Sequence, residues 1–123
     1  MAISIVNISS PSGLYKYRNT DVNATKDAID ATSGVLHALV LDNTANAAIT
    51  YVKLWDAASA GVTVGTTAPD WVFKVPASAK RTIVFHDGVA YANALVIAAV
   101  TGAGTAGVTP PTSAVVVEAN IET

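Results

Sequence analysis

The chain has 123 residues, of which 51% are hydrophobic and 13% are charged, and its formal net charge is -2. This length favours a single domain with a buried core, and the scattered Lys and Arg residues exclude an electrostatic basis for nucleic-acid binding. The chain has no cysteine, which excludes disulfides and thiolate metal sites. We also expect no membrane segment and no signal peptide, because no run approaches ~18 apolar residues and residues 1–5 lack a basic segment.

Residues 1–33 are predicted to form an N-terminal arm and loop ahead of the main domain. Short alternating strands at 2–8 and 14–18 are separated by a break rich in Ser, Pro and Gly at 9–13. The stretch 20–34 is polar and lacks the apolar stripe of a packed helix. In an assembly such an arm would lie on a neighbouring subunit. The alternative is an edge strand packed on its own domain.

Residues 34–56 are predicted to form two β-strands joined by a short polar turn. The side chains alternate with a period of two, in a run rich in β-branched and aromatic residues. Asn43 and Asn46 lie in the linker 43–47, and Asn tolerates left-handed backbone and bonds its own turn. The sequence therefore predicts a β-hairpin. Its first strand is apolar on both faces, as in a strand covered on two sides.

The remainder of the chain alternates between short strands and connections rich in Gly and Pro. A long connection at 57–70 is followed by strands at 71–75 and 80–86, and Asp87-Gly88 is predicted to turn the chain. The chain then continues with an apolar strand, a Gly/Pro-rich loop and a last strand, at 94–101, 102–111 and 115–121.

About seven or eight short strands, frequent turns and no convincing helix predict an all-β fold. We expect one antiparallel β-sandwich or barrel, residues 34–123, preceded by the extended arm, residues 1–33. Charged residues make up 13% of the chain, about half the usual ~25%. This scarcity favours burial of apolar surface against copies of the chain or a larger lattice. The alternative is a monomer with a neutral surface of Ala, Thr and Ser.

Two sequence patterns resemble ligand-binding loops but lack essential parts of them. The run 102–107 matches G-x-G-x-x-G, but Pro110 and Pro111 forbid the helix that dinucleotide binding requires, so we predict a flexible surface loop. Asp21 begins a stretch like a calcium loop, but Lys26 stands at the Gly position and Thr32 at the Glu position. We therefore predict no cofactor and no metal site.

The two histidines, His37 and His86, are the candidates for catalysis. Two histidines cannot form a three-His metal site, and the sequence has no nucleophile elbow. An enzyme would need a pocket joining one of them to carboxylates. We predict no catalytic residues, no small-molecule substrate and no enzymatic activity.

A family resemblance extends over roughly residues 34–121 and rests on strand and turn sequences. These are LDNTAN at 41–46, YVKLWDA at 51–57, VGTTAPD at 64–70, VPA at 75–77, RT at 81–82 and TSAVVV at 112–117. In these segments the chain resembles head decoration (cement) proteins of tailed bacteriophages, including cyanophages. The resemblance implies a small β domain, often a homotrimer, that sits on the outer capsid surface of the virion and bridges major capsid protein subunits. Such a protein is made in the host cytoplasm.

Six apolar residues are predicted to make contacts between subunits or within the fold. Leu14, Tyr15 and Tyr17 are expected to anchor the arm. Trp55, Trp71 and Phe73 are expected to serve packing or subunit contact, since large aromatic side chains dominate such contacts. Two other functions stay open at this stage. One is a phage tail or fibre component, and the other is a carbohydrate-binding β-sandwich that presents Trp and Tyr in a groove.

Overall fold

The computed structural model of the protein describes residues 3–7 and 14–123. In this part of the chain it has nine strands and one short 3-10 helix, Ser59–Gly61. The strands are β1 Ile3–Asn7, β2 Leu14–Val22, β3 Asp27–Asp30, β4 Gly34–Asp42, β5 Thr50–Trp55, β6 Trp71–Val75, β7 Lys80–Tyr91, β8 Leu95–Val100 and β9 Val115–Glu122.

The strands form two antiparallel sheets. The order is β1-β2-β9-β4-β7 in the five-stranded sheet and β3-β8-β5-β6 in the four-stranded sheet. The two sheets form a sandwich that is not closed into a barrel, which confirms the predicted all-β antiparallel class.

The main core lies between the two sheets and follows directly from period-two alternation. In β9, Val115, Val117, Ala119 and Ile121 are buried, while the side chains between them are at least partly exposed. These four residues belong to a single cluster with buried residues from both sheets, such as Leu54 of β5. The strands β2 to β9 thus each contribute apolar side chains to the space between the sheets.

Part of the predicted N-terminal arm is built into the sandwich. β2 lies between β1 and β9, and Tyr17 and Val22 within it are fully buried. β3 pairs with β8 in the other sheet. The interpretation of residues 14–30 as an arm and loop is therefore corrected, because their apolar side chains fill the common core. β1 occupies a sheet edge, and the predicted break at 9–13 lies outside the described residues.

The hairpin predicted for residues 34–56 is wrong, although both of its strands exist. β4 pairs with β7 and β9, whereas β5 pairs with β6 and β8, so the two strands belong to different sheets. The link between them is a corner. The Asn43 side-chain amide donates to the carbonyl of Pro76 at 3.0 Å, and that of Asn46 donates to the carbonyl of Ser113 at 2.9 Å. These bonds tie the corner to two other loops.

The turn predicted at Asp87-Gly88 is also wrong, because these residues form a bulge inside the long strand β7. The pairing of β7 with β4 shifts between Leu36 and Ala38. At the shift, Asp87 and Gly88 adopt positive φ angles of 68° and 76°. An Asp-Gly pair with positive φ angles suits a β-bulge as well as a chain reversal. The strand that pairs on either side of the two residues distinguishes the two cases.

Candidate interaction surfaces

The outer face of the four-stranded sheet is covered by the chain's own loops. All six residues of β8 are buried, which requires cover on both faces of that strand. Its outward-facing Val96 and Ala98 form a second apolar cluster with Trp55 and Val62. Val62 lies in the connection between β5 and β6. This connection, residues 56–70, therefore forms a third layer over the sheet.

Hydrogen bonds close this connection at its ends and attach it to the sheet. The backbone N–H of Asp56 donates to the Asp70 carboxylate at 2.6 Å. The indole Nε1 of buried Trp55 donates to the carbonyl of Thr67 at 3.0 Å. The loop is consequently held by polar contacts as well as by the apolar cluster beneath it.

Lys26, which precedes β3, also holds residues 56–70 in place through hydrogen bonds. Its Nζ donates to the carbonyl of Ser59 at 2.5 Å and to the carbonyl of Val62. These carbonyls belong to the first residue of the short 3-10 helix and to the residue that follows the helix. Lys26 is the residue that interrupts the calcium-loop pattern in the sequence, and its ammonium is here a structural donor.

Lys53 forms hydrogen bonds to a second loop, residues 101–114, which connects β8 to β9. Its side chain projects from β5 on the same face as Trp55 and is only 1% exposed. Its Nζ donates to the carbonyls of Gly104 and Gly107 at 2.6 and 3.4 Å. Burial lowers the pKa of Lys53. The glycine-rich loop therefore turns carbonyl acceptors toward an ammonium, whereas a phosphate would need N–H donors.

The two loops meet and form one continuous surface. Gly65 has a φ of 94°, and a side chain there would collide with Val108 of the second loop. We call residues 57–69 and 101–114 together the loop layer. These 27 residues include no Asp, Glu, Lys, Arg or His, whereas the chain's average of 13% charged residues would give about three or four. The exposed side chains of the loop layer are mainly Ala and Thr.

The outer face of the five-stranded sheet has a different character. Lys16 and Arg18 of β2 flank Glu118 of β9, with Nζ–Oε2 and Nε–Oε1 distances of 3.1 and 3.4 Å. Hydrogen bonding and charge from Lys16, followed by Arg18, lower the pKa of Glu118. A shallow depression of about 180 Å³ lies beside this trio and is lined by Lys16, Ala38, Val40, Glu118, Ala119 and Asn120. We call this the open face. It combines an ion-pair cluster with a small apolar floor.

One side of the sandwich is formed by the edge strands β6 and β7. The rings of Phe73 and Phe85 meet edge to face there, with centroids 6.1 Å apart and an interplanar angle of 62°. Arg81 Nη1 donates to the carbonyl of Lys74 on β6 at 2.9 Å. A side chain that occupies a backbone acceptor on an edge strand makes that edge less available to another strand.

The six predicted contact residues do not form one surface. Tyr17 and Trp55 are 0% and 1% exposed, so they belong to the interior of the single chain. Tyr15, Trp71 and Phe73 are half-buried and pack against the main core, and Leu14 is half-buried at the start of β2. The sequence predicted contacts for these six residues. Their exposure in the folded chain decides which of them can contact another subunit.

Each of the two histidines lies near one carboxylate, but outside hydrogen-bond range of it. His37 Nε2 is 3.7 Å from Glu122 Oε1, beyond hydrogen-bond range, so the pair attracts only when the imidazole is protonated. His86 Nε2 is 3.7 Å from Asp87 Oδ2, and both side chains are almost fully exposed on the β7 bulge. Within residues 3–7 and 14–123, no group of three or more His, Cys, Asp or Glu side chains is placed to hold a metal ion.

Similarity to known proteins gives no further assignment. Comparison with protein-family models, with curated proteins and with solved structures finds no match to this chain. No helix in the described ranges is long and apolar enough to span a membrane.

Proposed function

We propose that this protein is a non-enzymatic structural component of a virion, which decorates the outer head of a tailed bacteriophage. It would self-associate and bridge subunits of the major capsid protein. The resemblance of residues 34–121 to head decoration proteins supports this assignment. The observation that carries it is the two-sidedness of the domain, with an uncharged loop layer on one sheet and an open face with an ion-pair cluster on the other.

This two-sidedness suits a protein that lies within a lattice. One face can be buried against protein without desolvating a charge, and the other can remain in water with its ion pairs solvated. The loop layer is held by Lys26 and Lys53 before any partner binds. A surface that is already ordered loses little conformational entropy on binding. Because many copies act together on a shell, individually weak contacts would add through multivalency and oppose the internal pressure of the packaged DNA.

Counting copies on purified particles tests the proposal. Heads of the phage that encodes this chain, assembled without it, would be incubated with the purified protein, and bound copies would be measured by quantitative mass spectrometry and electron microscopy. We expect hundreds of copies in a regular array on the outer head. Only dozens of copies at the tail would support the tail or fibre alternative, and absence from particles would refute both.

The carbohydrate-binding alternative needs aromatic rings exposed in a groove. In the described part of the chain, the exposed large hydrophobic side chains are aliphatic: Ile49, Val72, Val84 and Val108. A glycan array would test this function directly, and specific glycan binding would favour it over decoration.

A further inference from the structure

The size of the loop layer matches that of a protein interface. Of its 27 residues, 25 are at least partly exposed, which compares with the ~20–30 residues a side of a standard protein–protein contact. Val108 at the junction of the two loops remains about half exposed. The layer therefore offers enough surface for a stable contact in one contiguous patch.

The chemistry of the layer restricts what can cover it. Any charged side chain buried against it would lose its water without gaining a counter-charge, which costs several kcal/mol. A matching partner must therefore present an uncharged surface. The same layer on another copy of this chain meets that requirement and brings no like-charge repulsion. The open face fits less well, because contact there would desolvate Lys16, Arg18 and Glu118.

The layer is also organised for contact at low entropic cost. Lys26 and Lys53 hold its two loops, and the carboxylate of Asp70 closes the base of the first. Its exposed side chains are mainly Ala and Thr, and Ala loses almost no rotamer freedom on burial. Binding would thus need little rearrangement of backbone or side chains.

We infer that copies of this chain associate through their loop layers, so that the occupant of this surface is a second copy. The inference deepens the self-association named in the proposed function and rests on the distribution of charge. It does not require a phage shell. A contact of this kind is held by apolar burial rather than by ion pairs, so it persists at high salt.

The test places one negative charge on each loop and one on the opposite side of the molecule. Thr63→Glu and Thr105→Glu alter exposed positions of the loop layer, and Thr82→Glu makes the same change at an exposed position of β7. Sedimentation equilibrium of the purified full chain gives the mass, and circular dichroism checks that each variant is folded.

We expect the wild type and Thr82→Glu to sediment as the same multiple of 12.5 kDa, in low and in high salt. Each loop variant should dissociate with a constant raised ~100-fold or more, because a charge buried without a partner costs several kcal/mol. A wild type that remains a 12.5 kDa monomer at high concentration, or folded loop variants that associate as the wild type does, would overturn the inference. A monomer that still decorates heads would overturn the inference and the self-association in the proposed function, and would leave only the decoration of heads standing.

Discussion

Replacement of Asn43 by alanine should show how strongly the corner between β4 and β5 depends on one side chain. Asn43 is fully buried. Its Nδ2 donates to the carbonyls of Ala48 and Pro76 at 3.1 and 3.0 Å. Its Oδ1 accepts from Asn46 Nδ2 and Thr50 Oγ1 at 2.8 and 2.9 Å. The amide thus connects the corner, the start of β5 and the β6–β7 turn.

The expected loss follows from these four hydrogen bonds. Each contributes about 1 kcal/mol net, and a buried group left unpaired costs ~1–3 kcal/mol. Since the two carbonyl contacts are only partly buried, water would recover part of the loss. We expect Asn43→Ala to lower the free energy of unfolding by about 3–4 kcal/mol, a large share of the ~5–15 kcal/mol of a typical domain. At roughly 4 °C per kcal/mol, the Tm should fall by about 12–16 °C.

Urea and thermal unfolding, followed by circular dichroism, would measure this change. The matched control is Asn120→Ala, at an exposed position of the open face, which should change stability by less than ~0.5 kcal/mol. Asn43→Asp keeps the shape of the side chain but loses its donors at neutral pH. It should be destabilising there and less so in acid, where the protonated carboxyl can donate. A loss below ~1 kcal/mol for Asn43→Ala, or one equal to the control, would refute the role of the corner.

Three further predictions concern the support of the loop layer by Lys53, the β7–β8 turn and the contact between the two loops. Lys53→Met should speed amide hydrogen exchange around Gly104. It should change the overall free energy of unfolding by less than ~1.5 kcal/mol, because the lost carbonyl contacts are offset by the removed cost of burying a charge. Unchanged exchange around Gly104 would contradict the role of Lys53. Backbone N–H groups of the β7–β8 turn lower the pKa of Asp56. The ionised carboxylate therefore stabilises the fold above its unfolded pKa, and this stabilisation is lost as pH falls through the folded pKa. Asp56→Ala should lower the free energy of unfolding by ~1–2 kcal/mol at pH 7 and by far less near pH 2, as measured from urea midpoints. Gly65→Ala should cost ~1–3 kcal/mol through its positive φ and the collision with Val108, and the double variant with Val108→Ala should recover part of this in thermal melts; a strictly additive result would show that the two loops do not touch.

The interaction surfaces were only partly predictable. The sequence shows that 57–69 and 101–114 carry no charge, but it does not show that these two segments lie side by side. Lys53 is the single cation on the face of β5 that also carries Trp55. A lone charge on an apolar strand was the feature of the sequence that indicated a buried, hydrogen-bonded ammonium. Its acceptors lie about 50 residues further along the chain, so no local pattern could identify them.

By itself, the sequence determined the all-β class and most strand positions, because the period of two in segments such as 115–121 is a local property of each strand. It also determined the scarcity of charge. The tertiary structure alone decided which strands pair, that β4 and β5 lie in different sheets, and that Tyr17 and Trp55 face the interior. The physical reason is that alternation states which side chains share a face, whereas pairing and layering depend on contacts between residues far apart in the chain.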